Sequence, residues 1–158
     1  MSANPSPRRL LRLSLVISLP ILALAFLLLP PQIARAGGEV TDCSNDTDLH
    51  AKLAGGGLVT FNCGSAPVSI TLTSTDLPGS HISITQTTSI SGGGLVTLQG
   101  NGDARIFNVD GSSLSLEGLT ITGGRALQGS PNNNGGAIYI INGGVVSVTD
   151  SRIFDNRA

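Results

Sequence analysis

From residue 68 onward the chain alternates between apolar and small polar side chains. Val68-Ser69-Ile70-Thr71-Leu72-Thr73, Ile82-Ser83-Ile84, Val96-Thr97-Leu98, Leu114-Ser115-Leu116, Leu119-Thr120-Ile121 and Val146-Ser147-Val148 each place an aliphatic residue at every second position, with Ser or Thr between. A period of two sends successive side chains to opposite faces of an extended chain, so these runs predict half-buried strands. One earlier stretch has helical spacing instead. Leu49 and Leu53 lie four apart behind Asp46-Thr47-Asp48, which can cap a helix start, and Gly55-Gly56-Gly57 ends the helix after Ala54. The expected fold is all-β with this one short helix.

Strands this short and numerous suit either an antiparallel sandwich or a coiled solenoid, and an internal repeat distinguishes the two. A shift of 32 residues places Ile106-Phe107-Asn108-Val109-Asp110-Gly111 on Ile138-Tyr139-Ile140-Ile141-Asn142-Gly143 without a gap. The same shift carries Leu114-Ser115-Leu116 onto Val146-Ser147-Val148 and Ile121 onto Ile153, with Leu119 against Ser151 and Asn108 against Ile140 as departures. Upstream, Ile82-Ser83-Ile84 lies 32 residues before Leu114, and Ile90 lies 31 before Ile121, which suggests a weaker copy. In a solenoid, equivalent positions stack about 4.8 Å apart, so every inward site must suit its neighbours above and below. A sandwich has no reason to keep that register. With no helix between the strands, coil pairs on coil in parallel through short turns, and the expectation is a parallel β-helix, right-handed by the usual chirality of crossovers.

The N-terminal segment has a different character. Arg8, Arg9 and Arg12 precede an apolar run over residues 13–29, then Pro30-Pro31 and Ala34-Arg35-Ala36 before Gly37-Gly38. A basic start, an apolar middle and a small-x-small end are the requirements of an export signal, and cleavage is expected between Ala36 and Gly37. An uncleaved anchor is the alternative, since about 17 apolar residues just reach the span of a bilayer core. Arg8-Arg9 also permits a twin-arginine route, although Leu10-Leu11-Arg12 fits that pattern poorly.

Composition sharpens the division. The full chain of 158 residues has nine Lys and Arg against ten Asp and Glu. Residues 1–36 hold four of those nine, none of the acids and none of the 21 glycines, which leaves residues 37–158 with a formal charge of −5. No basic cluster exists outside the leader, so no electrostatic footprint for nucleic acid is present, and a membrane is met only through the export signal. Cys43 and Cys63 are the only cysteines. An even count outside the cytoplasm favours a disulfide closing a loop of about 20 residues, against the alternative of two separately buried thiols. A zinc site lacks ligands, because only His50 and His81 accompany the cysteines, and no other cofactor is expected.

Gly135-Gly136-Ala137-Ile138, then Asn142-Gly143-Gly144, Val146-Ser147-Val148-Thr149-Asp150-Ser151 and Ile153-Phe154-Asp155-Asn156 resemble the GGA-I and FxxN repeats of polymorphic outer-membrane proteins and of exported bacterial right-handed β-helix proteins more widely. Ile153 stands where that family has Phe. The opening is similar to the N-terminal cap of such proteins: a cysteine, a short amphipathic helix, a glycine run and then Leu58-Val59-Thr60-Phe61. The resemblance spans residues 40–158. It implies a pectin-lyase-like topology and a surface or extracellular location, and no particular reaction.

Enzymes on this fold act on polysaccharides through clustered carboxylates, which makes Glu117 and Asp150 the acids to weigh. The 32-residue register aligns Glu117 with Thr149 and Gly118 with Asp150, so the two acids fall on neighbouring coils but on opposite sides of the pleat, a poor geometry for a pair. Asp110 overlays Asn142, and both precede Gly, as in tight turns. Gly100-Asn101-Gly102-Asp103 is loosely like a calcium turn but occurs once, whereas such sites need stacked copies. Neither His50 nor His81 lies in a nucleophile motif. The glycine clusters at 55–57 and 92–94 lead into strands rather than a helix that could hold phosphate. Residues 123–134 break the repeat and should bulge as a loop, either a contact loop or a tolerated insertion. Three Phe and one Tyr after residue 36 leave few rings for stacking on sugars.

The sequence therefore divides into a signal peptide (1–36), a cysteine-bounded cap (37–64) and β-helix coils (65–158) that stop directly after a repeat. An uncovered last coil exposes strand edge and core, so either the reading frame is truncated or the edge pairs with another copy. The expected role is an exported, non-catalytic structural or adhesive module that meets host or matrix glycans or surface proteins. The alternative is the N-terminal part of a polysaccharide lyase or glycoside hydrolase whose active coils lie beyond residue 158.

Overall fold

A computed structural model of the chain describes residues 37–77, 79–127 and 134–158. The leader, Ala36 of the expected cleavage site, and residues 128–133 of the expected loop lie outside the described residues. In chain order the elements are β1 (Gly37–Val40), α1 (Thr47–Leu53), β2 (Gly57–Phe61), β3 (Val68–Leu72), β4 (Ser80–Ile84), β5 (Thr88–Gly100), β6 (Arg105–Asp110), β7 (Ser113–Thr122), β8 (Ile138–Ile141), β9 (Val145–Thr149) and β10 (Arg152–Ile153). Every paired strand runs parallel to its neighbour. Parallel pairing, with no helix among the described residues of the crossovers, is the signature of a β-solenoid, as the repeat predicted.

Each coil supplies three faces. The first ladder runs through β1, β2, the first half of β5, the first half of β7, and β9. The second joins β3, the second halves of β5 and β7, and β10, and the third is β4, β6 and β8. Three coils and the start of a fourth result. Where coil one spends residues between β2 and β3, coils two and three run the two faces together as one strand. Gly92-Gly93-Gly94-Leu95 then bulges from β5, where the register with β7 jumps between Ser91 and Val96.

Inward residues form columns along the axis. Val59, Ile90, Leu116 and Val148 stack in register, as do Ile70, Leu98, Ile121 and Ile153. The first three members of each column are wholly buried. Each such aliphatic side chain contributes about 1.5–3 kcal/mol by leaving water. The fourth members, on β9 and β10, keep 44% and 41% of their surface exposed, together with Ile140 of β8 at 47%, because no rung lies above them among the described residues.

The 32-residue repeat holds on two faces and fails on the third. Leu114 pairs with Val146 and Ile121 with Ile153 as expected. On the third face Phe107 pairs with Ile138, not Ile106, so the offset there is 31 and Val109 meets Ile140. The apparent mismatch of Asn108 with Ile140 disappears, because Asn108 pairs with Tyr139. One residue more in the turn between β8 and β9 than in the turn between β6 and β7 restores the 32-residue offset, and Asn142 Nδ2 still donates to Asp110 Oδ1 at 2.7 Å. The upstream copy is also corrected. Ile82 pairs with Phe107, and Ile90 pairs with Leu116 at an offset of 26, because a four-residue turn joins β5 to β6 where 15 residues separate β7 from β8 in the next coil. Ladder pairing fixes the rungs, and turn length is free to vary between them.

At the start, α1 buries Leu49 and Leu53 as their spacing predicted. Asp46 occupies the N-cap position, but its side chain does not cap the helix. It turns instead to the Thr73 and Ser74 amides, both at 2.7 Å, and joins the helix to the end of the first β3 run. Cys43 and Cys63 form a disulfide with Cα atoms 5.8 Å apart, tying the segment after β1 to the segment after β2.

Candidate functional site

The acids weighed from the sequence do not converge. Glu117 pairs in register with Thr149 and is exposed on the outer side of β7. Asp150 sits beyond β9 with φ +47°, in the left-handed region, on the position that Gly118 occupies one coil earlier at φ +59°. Asp155, at φ +50°, likewise follows Gly123 at φ +73°. Asp tolerates this conformation better than most residues because its short side chain can bond locally, so both aspartates hold turns. The Asn101–Asp103 turn closes on itself, with Asn101 Nδ2 donating to Asp103 Oδ2 at 2.8 Å and the Asp103 amide donating to Asn101 Oδ1 at 3.2 Å. Among the described residues, no three His, Cys, Asp or Glu side chains gather as a metal site would require.

The two histidines do come together, on either side of one turn at residues 73–76, although nothing in their local sequence announced it. His50 of α1 directs Nδ1 at Asp76 Oδ1, 3.0 Å away, and Nε2 at Asp46 Oδ2, 3.7 Å away. Asp76 Oδ2 accepts the Ser83 amide at 2.9 Å. His81 is wholly buried, with Nδ1 donating to the Ser74 carbonyl at 2.8 Å and Nε2 facing Asp103 Oδ1 at 3.3 Å. Burial opposes ionisation of Asp46, but the amides of Ser74 and Thr73, the nearby His50 and the Ser74 hydroxyl outweigh it, and its pKa falls below the ordinary carboxylate value. An imidazole held by a carboxylate can serve a nucleophile as base. Here the Ser74 hydroxyl donates to Asp46 Oδ1 at 3.2 Å rather than to either ring. Among the described residues, the arrangement joins α1, the 73–76 turn, β4 and the 101–103 turn, and no hydroxyl is aimed at an imidazole.

The concavities among the described residues include three of different lining. One of about 250 Å³ lies beside the disulfide, lined by Phe61, Cys63, Val68 and Val96. A shallow apolar strip of about 370 Å³ crosses the first face over Thr88, Leu114 and Val145. The largest, about 500 Å³, opens at the corner between the second and third faces and is lined by Gln99, Asn101, Arg125, Asp155, Arg157 and glycine backbone. Arg125 and Arg157 bridge one another on neighbouring coils, with the Ala126 amide donating to the Arg157 carbonyl and the Arg157 amide to the Gly124 carbonyl, both at 2.9 Å. The 32-residue shift could have found them. It runs on past Ile121 and Ile153 through Gly123 and Asp155, Gly124 and Asn156, to Arg125 and Arg157.

No family model, curated protein or solved structure matches the chain.

Proposed function

We infer that the chain is an exported structural or adhesive β-helix module of the cell surface or extracellular space, whose coils 65–158 carry no catalytic role. The observation that supports this most is the use made of the reactive side chains. Of the acids that a polysaccharide-cleaving groove would need, Asp46 and Asp76 fasten the cap through their carboxylates, Asp150 and Asp155 stand at left-handed turns, and Glu117 faces outward away from them. The glycine motif has a structural use as well. A Cβ at Gly136 would strike the backbone of Arg157 on the next rung, so Gly135-Gly136-Ala137-Ile138 lets successive coils approach closely. The disulfide is compatible with an oxidising compartment.

The module meets host or matrix glycans or surface proteins, and its open rung meets a second copy of itself. The half-exposed Ile140, Val148 and Ile153 continue the columns of the coil beneath, so an identical chain offers them complementary aliphatic side chains. The test expresses the full chain in an exporting bacterium and incubates the exported product with pectin and related glycans. The expected outcome is a chain outside the cytoplasm that begins at Gly37 and releases no oligosaccharide. Retention inside the cell would refute export, and product release would favour the lyase or hydrolase reading.

A further inference from the structure

We propose that the corner cleft between the second and third faces binds a single oxyanion, carboxylate or sulfate, carried on a saccharide. Arg125 and Arg157 occupy the same position on successive rungs, held there by reciprocal backbone hydrogen bonds. Like charges stacked in a ladder repel. Neither guanidinium has an ion-pair partner among the described residues, although a carboxylate, Asp155, lines the same cleft. An anion between the two forks would relieve the repulsion and accept several charge-assisted hydrogen bonds from planar donors suited to carboxylate or sulfate geometry.

The rest of the lining selects what carries the anion. About 500 Å³ far exceeds a bare inorganic ion and falls in the range of small-molecule sites. Gln99 Oε1 accepts from Ser69 Oγ at 3.1 Å and both polar atoms of the Asn101 side chain bond Asp103, so the amide group these residues offer a sugar hydroxyl is the Gln99 NH2, a donor. Gly100 and Gly123 press their backbones together to form the floor, where a Cβ on either would collide with the other. Among the described residues, none that lines the cleft has an apolar side chain against which a peptide could bury its own apolar groups. The carboxylate of Asp155 at the edge, and a charge of −5 on residues 37–158, disfavour a polyanion lying across the surface and limit the site to one charged group.

This ligand class rests on the adhesive reading, and one titration separates the two. The full chain is titrated by calorimetry with trigalacturonate, a monosulfated trisaccharide and neutral maltotriose, and the same titrations are run on Arg125→Gln, Arg157→Gln and Arg152→Gln. At least one acidic trisaccharide should bind ten-fold or more tighter than maltotriose, and which of them does so identifies carboxylate or sulfate. Either cleft variant should weaken that binding at least ten-fold, while Arg152→Gln, whose guanidinium lies over the Phe154 ring, should leave it unchanged. Equal affinity for acidic and neutral sugars in the unaltered chain, or cleft variants that bind as tightly as the parent, would overturn the proposal. The first comparison needs no variant to fold. Absence of binding defeats the site and leaves a structural role standing, whereas binding followed by cleavage keeps the site and defeats the non-catalytic reading.

Discussion

Asp46 shows how much a single side chain can do in a fold with few charges. It is almost wholly buried and accepts two backbone amides and two hydroxyls from Thr73 and Ser74, while His50 stands beside it. Hydrogen bonds to a charged group are worth about 1.5–3 kcal/mol, so Asp46→Ala should destabilise the chain by about 2–3 kcal/mol in urea unfolding at neutral pH. Because the folded pKa of Asp46 lies below its ordinary value of 3.8, its stabilisation is complete above that value and is lost as pH falls through the lower, folded one. Asp48, held down by the amides of Thr41 and Asp42, acts in the same direction. Unfolding midpoints measured from pH 5 to pH 2 should therefore fall for the parent chain and fall less for Asp46→Asn. Parallel curves would show that Asp46 is not the group responsible. The sequence pointed to Asp46 as a helix cap, correctly placing it at the helix start. Its actual partners are 27 and 28 residues away, a distance that local pattern cannot read.

At the level of elements, the cap and the rungs are secured by different means. Helix α1 packs Leu49 and Leu53 against the first rungs, and the disulfide joins the segments that leave β1 and β2. Closing a loop of 20 residues removes unfolded-state entropy worth about 3 kcal/mol, so the Cys43→Ser, Cys63→Ser double variant should lose about that much stability by denaturant unfolding. A loss under about 1 kcal/mol would mean that the cap is held by its packing alone. The later rungs rely on side chains that bond the backbone of the coil beneath. Ser151 Oγ accepts the Leu119 amide at 3.0 Å, and Asn156 accepts the Gly124 amide at 2.8 Å while donating to the Ile121 carbonyl at 3.1 Å. Ser151 against Leu119 looked like a flaw in the repeat when only apolar matches were compared. It is a polar ladder bond, one reason why strand period was legible in the sequence while the purpose of some departures was not.

For the whole molecule, the apolar columns that build the core reach half-exposed members on the last described rung. Val148, Ile153 and Ile140 occupy column positions whose counterparts one coil earlier are buried. Self-association through this rung predicts a concentration-dependent rise in sedimentation coefficient. Val148→Lys, which places a charge in the exposed column while leaving the buried members untouched, should abolish the rise. A parent chain that sediments as one species across a hundred-fold range of concentration would exclude the association.

The strands, the short helix behind Asp46 and the parallel coiling were legible in the residues alone, because a period of two and recurring aliphatic positions follow from how one extended chain buries one face. The sequence also determined the cysteine pair as the sole candidates for a disulfide. Beyond the 32-residue repeat, only the tertiary structure decided the earlier coil offsets of 31 and 26 residues, because turns absorb insertions at little energetic consequence while ladder hydrogen bonds do not tolerate a slip. It alone brought His50, His81, Asp46, Asp76 and Asp103 around one turn, and opened a polar cleft beside Arg125 and Arg157, a pair that the 32-residue shift already aligns. Those groupings depend on which residues of different coils share a corner, and that is fixed by the length of every intervening turn rather than by any local run of residues.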